Sequence, residues 1–376
     1  MKLWCLQENL SRGLSVVSRA VSPRATLPIL GNILLATEGG RLKLQATNLE
    51  LVITTWVGAD IEREGVTTVP ARLFTEFISS LPNEKVLLEL NEGHKLHVAA
   101  GHSAADIHGM DPEDFPTVPS ASEEPTLRID AEVLKGMIEQ VVFAAATDDS
   151  RPVLAGVLFK IDGDKLTLAA ADGFRLSVKE QSINSSAESV NVIVPAKALD
   201  ALSRLIGDHE EQVEITINPN KSQIVFQAEN INVISRLIDG NFPNYSQIIP
   251  KQYVTRTVVH TKEFREAITR ALIFGRDSSN AVKLTISPGD EGDTGKIVVS
   301  ATAAEVGSGS DSLEATVEGE GGQIAFNGRY LTDVLSVIES DQVALETQSP
   351  NSPGVIRPVG NGSYTHVIMP MHLVGR

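Results

Sequence analysis

Thr67-Thr68-Val69-Pro70-Ala71-Arg72-Leu73-Phe74-Thr75-Glu76-Phe77-Ile78-Ser79-Ser80-Leu81 is the stretch on which the reading of the fold turns. A short β-branched run enters a helix, and a basic residue stands in the helix's first turn. The pattern returns as Val192-Ile193-Val194-Pro195-Ala196-Lys197-Ala198-Leu199-Asp200-Ala201-Leu202-Ser203-Arg204-Leu205. It returns again as Ile324-Ala325-Phe326-Asn327-Gly328-Arg329-Tyr330-Leu331-Thr332-Asp333-Val334-Leu335-Ser336-Val337-Ile338. The basic residues lie 125 and then 132 positions apart (72 to 197, 197 to 329). Solenoid repeats run ~20–50 residues, so this period has the size of a domain. The chain reads as three copies of one domain.

The length of 376 residues suits two or three cores rather than one. Hydrophobic content of 42% and charged content of 21% fit a protein with packed interiors. No apolar run approaches the ~18 residues of a membrane span, and the N-terminus turns polar at Gln7, too early for a signal peptide. A single cysteine, Cys5, precludes an intrachain disulfide and a thiolate metal cluster, and makes the cytoplasm the expected compartment. The net charge of −16 argues against a surface that coats nucleic acid everywhere. It leaves room for charges sorted so that basic residues gather on one face.

The first repeat opens with a predicted helix over residues 7–21. Leu10, Leu14, Val17 and Val21 share one face, and Arg12 and Arg19 fall opposite. The helix over residues 196–206 repeats this arithmetic, with Lys197 and Arg204 opposite Leu199 and Leu202 and no acid expected between the two bases on that stripe. A solvated face explains one such helix; finding the pattern on a second helix of the repeated domains weighs a function evenly against it. Strands are predicted over residues 29–36, 41–47, 49–57, 85–90 and 96–100, with a helix over 71–81. A linker rich in Pro, Ser and Glu covers residues 117–126. The second repeat restarts with a helix over 130–146 capped by Asp130. Strands over 165–170 and 174–179 flank the turn Asp172-Gly173. The third repeat has its helix over 262–274, an acidic, glycine-rich loop over 288–296 and a terminal apolar strand over 364–373. Each repeat thus contains about eight strands and two helices, an α+β domain. The expected domains are 1–120, 127–247 and 252–376.

A search for catalytic motifs returns little. There is no phosphate-binding G-x-x-x-x-G-K-[ST], no G-x-S-x-G elbow and no H-E-x-x-H. His94, His97, His102 and His108 cluster, but no cysteine or paired carboxylate completes a metal site. Asp148-Asp149 reads as a loop or cap before it reads as a magnesium site. Gly307-Ser308-Gly309-Ser310 reads as a flexible turn.

Five segments together resemble the bacterial β sliding clamp family, the β subunit of the replicative DNA polymerase III. They are Thr26-Leu27-Pro28-Ile29-Leu30-Gly31-Asn32, Thr68-Val69-Pro70-Ala71-Arg72, Ala171-Asp172-Gly173-Phe174-Arg175-Leu176, Asp239-Gly240-Asn241-Phe242-Pro243-Asn244-Tyr245 and Val367-Ile368-Met369-Pro370-Met371-His372-Leu373. The resemblance covers essentially the whole chain, in the family's order. It implies three repeated DNA-clamp domains, each with two helices packed on antiparallel sheets, in a head-to-tail dimeric ring around double-stranded DNA. It implies a non-catalytic processivity factor without cofactor or metal. Its partners would be the replicative polymerase, the clamp loader and repair proteins, each bringing a short linear motif.

By position, the resemblance places a partner-peptide pocket at Arg151, Leu154, Ala171, Gly173, Phe174, Arg175 and Leu176, then at Pro243, Gln247, Ile248, Asn327, Tyr330 and Ser352, and along Val367, Ile368, Met369, Pro370, Met371, His372 and Leu373. Met369 and Met371 suit such a site chemically, because a thioether adapts to several ligands. Phe174 stands where the family commonly has His, Ala171 where it has Thr, and His372 where it has Lys or Arg. Arg24, Arg72 and Lys197 are carried over as DNA contacts, and the helix-face argument adds Arg12, Arg19 and Arg204. The dimer seam falls by position on Ala105 and Ile107 on one side and Ile273 and Phe274 on the other. Two other readings stand beside the clamp: a metal-assisted hydrolase built on the histidine stretch, and a partner-binding scaffold of the same fold that does not encircle DNA.

Overall fold

The computed structural model describes the chain except residues 23–26, 119–123, 149, 184–188, 207–211, 291–293, 304, 306 and 373–376. The first repeat comprises β1 (Lys2–Leu6), α1 (Gln7–Val17), β2 (Asn32–Glu38), β3 (Arg41–Thr47), β4 (Leu51–Arg63), β5 (Val66–Pro70), α2 (Ala71–Ser80), β6 (Lys85–Asn91), β7 (Lys95–Ala100) and β8 (Ser103–His108). The second comprises β9 (Leu127–Asp130), α3 (Ala131–Val141), β10 (Gly156–Asp162), β11 (Lys165–Ala171), β12 (Arg175–Ser182), β13 (Val190–Pro195), α4 (Ala196–Leu205), β14 (Gln212–Ile217), β15 (Gln223–Ala228) and β16 (Ile231–Arg236). The third comprises β17 (Thr255–His260), α5 (Thr261–Gly275), β18 (Ala281–Ser287), β19 (Gly295–Ala303), β20 (Gly307–Gly319), β21 (Gly322–Asn327), α6 (Gly328–Ser336), β22 (Gln342–Thr347), β23 (Gly354–Pro358) and β24 (Tyr364–Ile368). Among the described residues every repeat has eight strands and two α-helices in the same order.

Contacts group the chain into two compact units, Met1–Lys135 with Lys197–Leu237, and Gly136–Ala196 with Ile238–Arg376. The grouping follows the sheets rather than the repeats, because each sheet runs on from one repeat into the next. In the first unit the order is β8-β7-β6-β1-β4-β16-β15-β14-β9, with β2, β3 and β5 branching from β4. In the second it is β13-β10-β11-β12-β24-β23-β22-β17-β20-β19-β18-β21. The two repeat-to-repeat joins are alike. β4 pairs antiparallel with β16 from Leu51↔Ser235 to Thr55↔Ile231. β12 pairs antiparallel with β24 from Arg175↔Ile368 to Lys179↔Tyr364.

The predicted periodicities explain the helices. Leu10, Leu14 and Val17 are fully buried on one face of α1, and Phe74 and Ile78 on one face of α2. Burying each such side chain contributes roughly 1.5–3 kcal/mol. Asp130 caps α3 as expected, accepting from the Val133 N–H at 3.1 Å. α1 ends four residues before its predicted end. The Ser18 hydroxyl bonds back to the Leu14 carbonyl, and Ser18–Ala20 closes as a 3-10 turn. The helix predicted over 130–146 likewise ends at Val141 and gives way to a 3-10 turn, Val142–Ala144.

The strand predicted from residue 29 begins at Asn32, because Pro28–Gly31 forms a 3-10 turn. β4 runs on to Arg63, past its predicted end at 57. The terminal strand stops at Ile368, not 373, since Pro370 has no N–H for a ladder. Beyond it the Met369 N–H donates to the Phe174 carbonyl and the Met371 N–H to the Ala325 carbonyl, both at 2.8 Å. Cys5 lies buried in β1, and burial pushes its thiol up to about 12.

Candidate partner-binding pocket and basic helix faces

The pocket candidates surround one tight turn. Asp172 Oδ1 accepts from the Phe174 and Arg175 N–H groups at 2.8 and 2.9 Å, and Gly173 has φ +94°. The corresponding turn of the first repeat is built the same way. There Asn48 Oδ1 accepts from the Glu50 and Leu51 N–H groups, and Leu49 takes the positive φ. At 173 glycine takes the positive φ without strain, and a Cβ there would lie 2.7 Å from the movable end of the Arg151 side chain, Nη1.

The turn aims Arg175 into a cage. Its Nε donates to Asp172 Oδ2 at 3.0 Å, Nη1 to Asp333 Oδ2 at 2.6 Å and Nη2 to the Phe143 carbonyl at 2.7 Å. The guanidinium lies 4.3 Å from the centre of the Tyr330 ring and 5.3 Å from that of Phe143. With its side chain 11% exposed, Arg175 is a partly buried organiser rather than a free surface charge. Beneath it, the Ser177 hydroxyl bonds His366 Nδ1 at 2.6 Å and lies 3.3 Å from the Tyr364 hydroxyl. His366 Nε2 is buried without a partner among the described residues. Burial first, then the Arg175 charge, hold the imidazole neutral down to about 3.

An apolar floor adjoins this cage. Leu158, Ala169, Ala171, Leu176, Val178, Val355 and Val367 form one buried cluster, covered in part by Phe242, Tyr245 and Ile249. Phe174, Ile248 and Met369 are exposed large apolar side chains. Ala171, Leu176 and Val367 are part of this floor. Ile368 does not: it packs in the third repeat's core with Phe264 and Phe326, because alternate residues of β24 face opposite ways. Asn327 spends its side chain capping α6 through the Arg329 N–H, and the Ser352 hydroxyl lies 2.7 Å from that of Ser349 in its own turn. Leu154, Tyr330 and Met371 are half-buried; Pro243, Gln247 and His372 are exposed. Leu373 lies outside the described residues. Asp172, Asp333 and Phe143, which hold Arg175, are absent from the sequence expectation. The Asp-Gly turn three residues before Arg175 is the one local signal that pointed to any of them.

The basic candidates separate into two kinds. Arg12 pairs with Glu8 at 3.0 Å, Arg72 with Glu76 at 2.8 Å and Arg204 with Asp200 at 3.0 Å, each across one helical turn. The acid-free stripe expected on α4 is therefore wrong: Asp200 sits between Lys197 and Arg204, where i,i+4 spacing brings a carboxylate to a guanidinium. Such exposed pairs contribute about 0–1 kcal/mol, little enough to exchange for a phosphate. Arg19 and Lys197 are exposed and carry no ion pair among the described residues. Arg24 lies outside the described residues.

At the expected seam, Ile107 is 4% exposed and so packs inside its own chain rather than facing outward. Ala105 is half-buried, Ile273 is 62% exposed, and Phe274 packs partly on the third repeat's core. The histidine stretch does not converge: His97 Nδ1 and Lys95 both bind Asp106 at 2.8 Å. Among the described residues no three His, Cys, Asp or Glu side chains come together as metal ligands, and no helix is long and apolar enough to cross a membrane.

A threefold α+β repeat whose sheets continue between repeats defines the class of DNA-clamp proteins. Family profiles divide the chain in the same way: the N-terminal, central and C-terminal domains of the DNA polymerase III beta subunit match residues 1–119, 128–244 and 246–372. The Beta sliding clamp of Synechocystis is 33% identical, with all of both chains covered. That of Staphylococcus aureus is 32% identical, with 94% of each chain covered. The crystal structure of the DNA polymerase sliding clamp from Bacillus subtilis superposes with a TM-score of 0.92 at 29% identity, covering 99% of each chain. The chain belongs to the DNA polymerase III beta subunit family, the sliding clamps.

Proposed function

We propose that two copies of this chain close head to tail into a ring around duplex DNA. In this reading the ring catalyses nothing and tethers a polymerase, a clamp loader and repair proteins through the floor beside Arg175. The domains are 1–120, 127–247 and 252–376, and the protein works in the cytoplasm on the chromosome. One observation carries the dimer. The joins β4·β16 and β12·β24 use equivalent strands. Among the described residues two more strands of these types stay open: β8 pairs only with β7, and the first half of β20 pairs only with β19. A second copy satisfies both.

The repeat also supports a register. Leu51, Arg175 and Gly307 are the first residues of β4, β12 and β20, and the first two of them pair in the observed joins. Ser235 and Ile107 each stand one residue before the strand position that pairs with Gln223 or Lys95. Extending the two observed joins sets Ile107 of one chain opposite Gly307 of the other, and Ala104 opposite Ser310. A heterologous contact of this kind closes a ring when the rotation returns after two subunits.

The test is a chain carrying both Ala104→Cys and Ser310→Cys. Mild oxidation is expected to give a covalent closed dimer on a denaturing gel. A chain that stays monomeric after oxidation, yet sediments as a dimer before it, overturns the register; one that never dimerises overturns the ring.

A further inference from the structure

A groove between α5 and α6, of about 380 Å³, is lined by Thr269, Leu272, Arg276, Asn280, Arg329 and Thr332. Arg276 and Arg329 are exposed, and neither makes an ion pair among the described residues. Arg329 stands at the repeat position of Arg72 and Lys197. In the first repeat the acid four residues on, Glu76, neutralises Arg72 at 2.8 Å. The third repeat has an acid at that same spacing, Asp333, but Asp333 is bound by Arg175 at 2.6 Å. The local partner of Arg329 is thereby drawn away, and its guanidinium is left to the groove.

We propose that this groove is a phosphate site for the nucleic-acid backbone, in which Arg276 and Arg329 grip one phosphodiester between the walls formed by Thr269 and Thr332, whose hydroxyls donate to the Arg265 and Arg329 carbonyls at 2.8 and 2.9 Å. Two guanidiniums with their several N–H donors match an oxyanion with several acceptor atoms, and contacts to phosphate carry no sequence preference. The Arg175–Asp333 pair keeps the site open. Because Arg175 also organises the proposed partner pocket, a change there that releases Asp333 would let it close on Arg329 and weaken the grip. The inference rests on the duplex-binding reading above.

The experiment is fluorescence anisotropy of the full-length protein with a labelled primed duplex across a salt series. Arg276→Gln with Arg329→Gln is expected to weaken binding by about 5–10-fold and to lower the salt slope by about 1, for the one phosphate no longer neutralised. Wild-type protein that binds with the double variant unchanged overturns the groove alone; wild-type protein that does not bind overturns the duplex reading beneath it. A second arm addresses the diversion. Arg175→Ala should also weaken duplex binding, and adding Asp333→Asn should restore it. Restoration that fails, in a variant whose thermal unfolding is still cooperative, removes the proposed link between pocket and groove.

Discussion

His366 sits fully buried, with Nδ1 on the Ser177 hydroxyl and Nε2 unpartnered among the described residues. Unfolded, an imidazole titrates near 6.5; here it stays neutral down to about 3. Between those values the unfolded chain binds the extra proton, so stability rises with pH and is lost on acidification. From pH 6.5 to 5 the loss from this one residue is about 1.5–2 kcal/mol. Urea midpoints at those two pH values should differ in the wild type and converge in His366→Gln; an equally steep fall in the variant would assign the effect elsewhere. Gly173→Ala tests the neighbouring turn. A Cβ at φ +94° and 2.7 Å from Arg151 Nη1 should cost about 1 kcal/mol or more and weaken binding of a clamp-motif peptide. An unchanged peptide affinity measured calorimetrically would remove Arg151 from the pocket.

Among the elements, the helices were the most legible. Leu10, Leu14 and Val17 recur at helical spacing within a few residues of one another, so a local window holds the signal. β3 was read with its bounds intact because Arg41–Thr47 alternates cleanly and follows Gly39-Gly40, both with positive φ. β8 carries no strand signal in the sequence, since Ser103-Ala104-Ala105-Asp106-Ile107-His108 lacks the β-branched run that marks a strand. The cage around Arg175 was illegible for a different reason. Asp333 lies 158 positions along the chain, and only the fold brings it near. Ion pairs across one helical turn, such as Arg204 with Asp200, are legible in the sequence, because i,i+4 spacing alone brings the two charges together. The terminal strand carries its own prediction. Met371 is tied by its N–H to Ala325 and leaves its side chain half-buried. Met371→Ala should weaken polymerase stimulation severalfold with the dimer intact by sedimentation; loss of the dimer first would count against a pocket role.

At the scale of the whole molecule, a net charge of −16 and a nucleic-acid partner are compatible if retention depends on topology. A ring held by encirclement needs only weak, exchangeable phosphate contacts, and the exposed pairs of Arg12, Arg72 and Arg204 are of that kind. Loaded on nicked circular DNA, the protein should survive gel filtration in salt that strips ordinary electrostatic binders, and should leave when the circle is cut. Retention on linear DNA with free ends would point instead to affinity, and loss from the circle to a chain that does not close.

The burial of Cys5 has a practical consequence for such measurements. Its thiol, raised to about 12, is almost wholly protonated at neutral pH, and the thiolate is the species that alkylates and oxidises. Maleimide dyes and disulfide chemistry will therefore pass over the native protein. A fluorophore or spin label placed on any engineered surface cysteine will report from that position alone, so the natural sequence already serves as the background that labelling studies elsewhere must build by mutation.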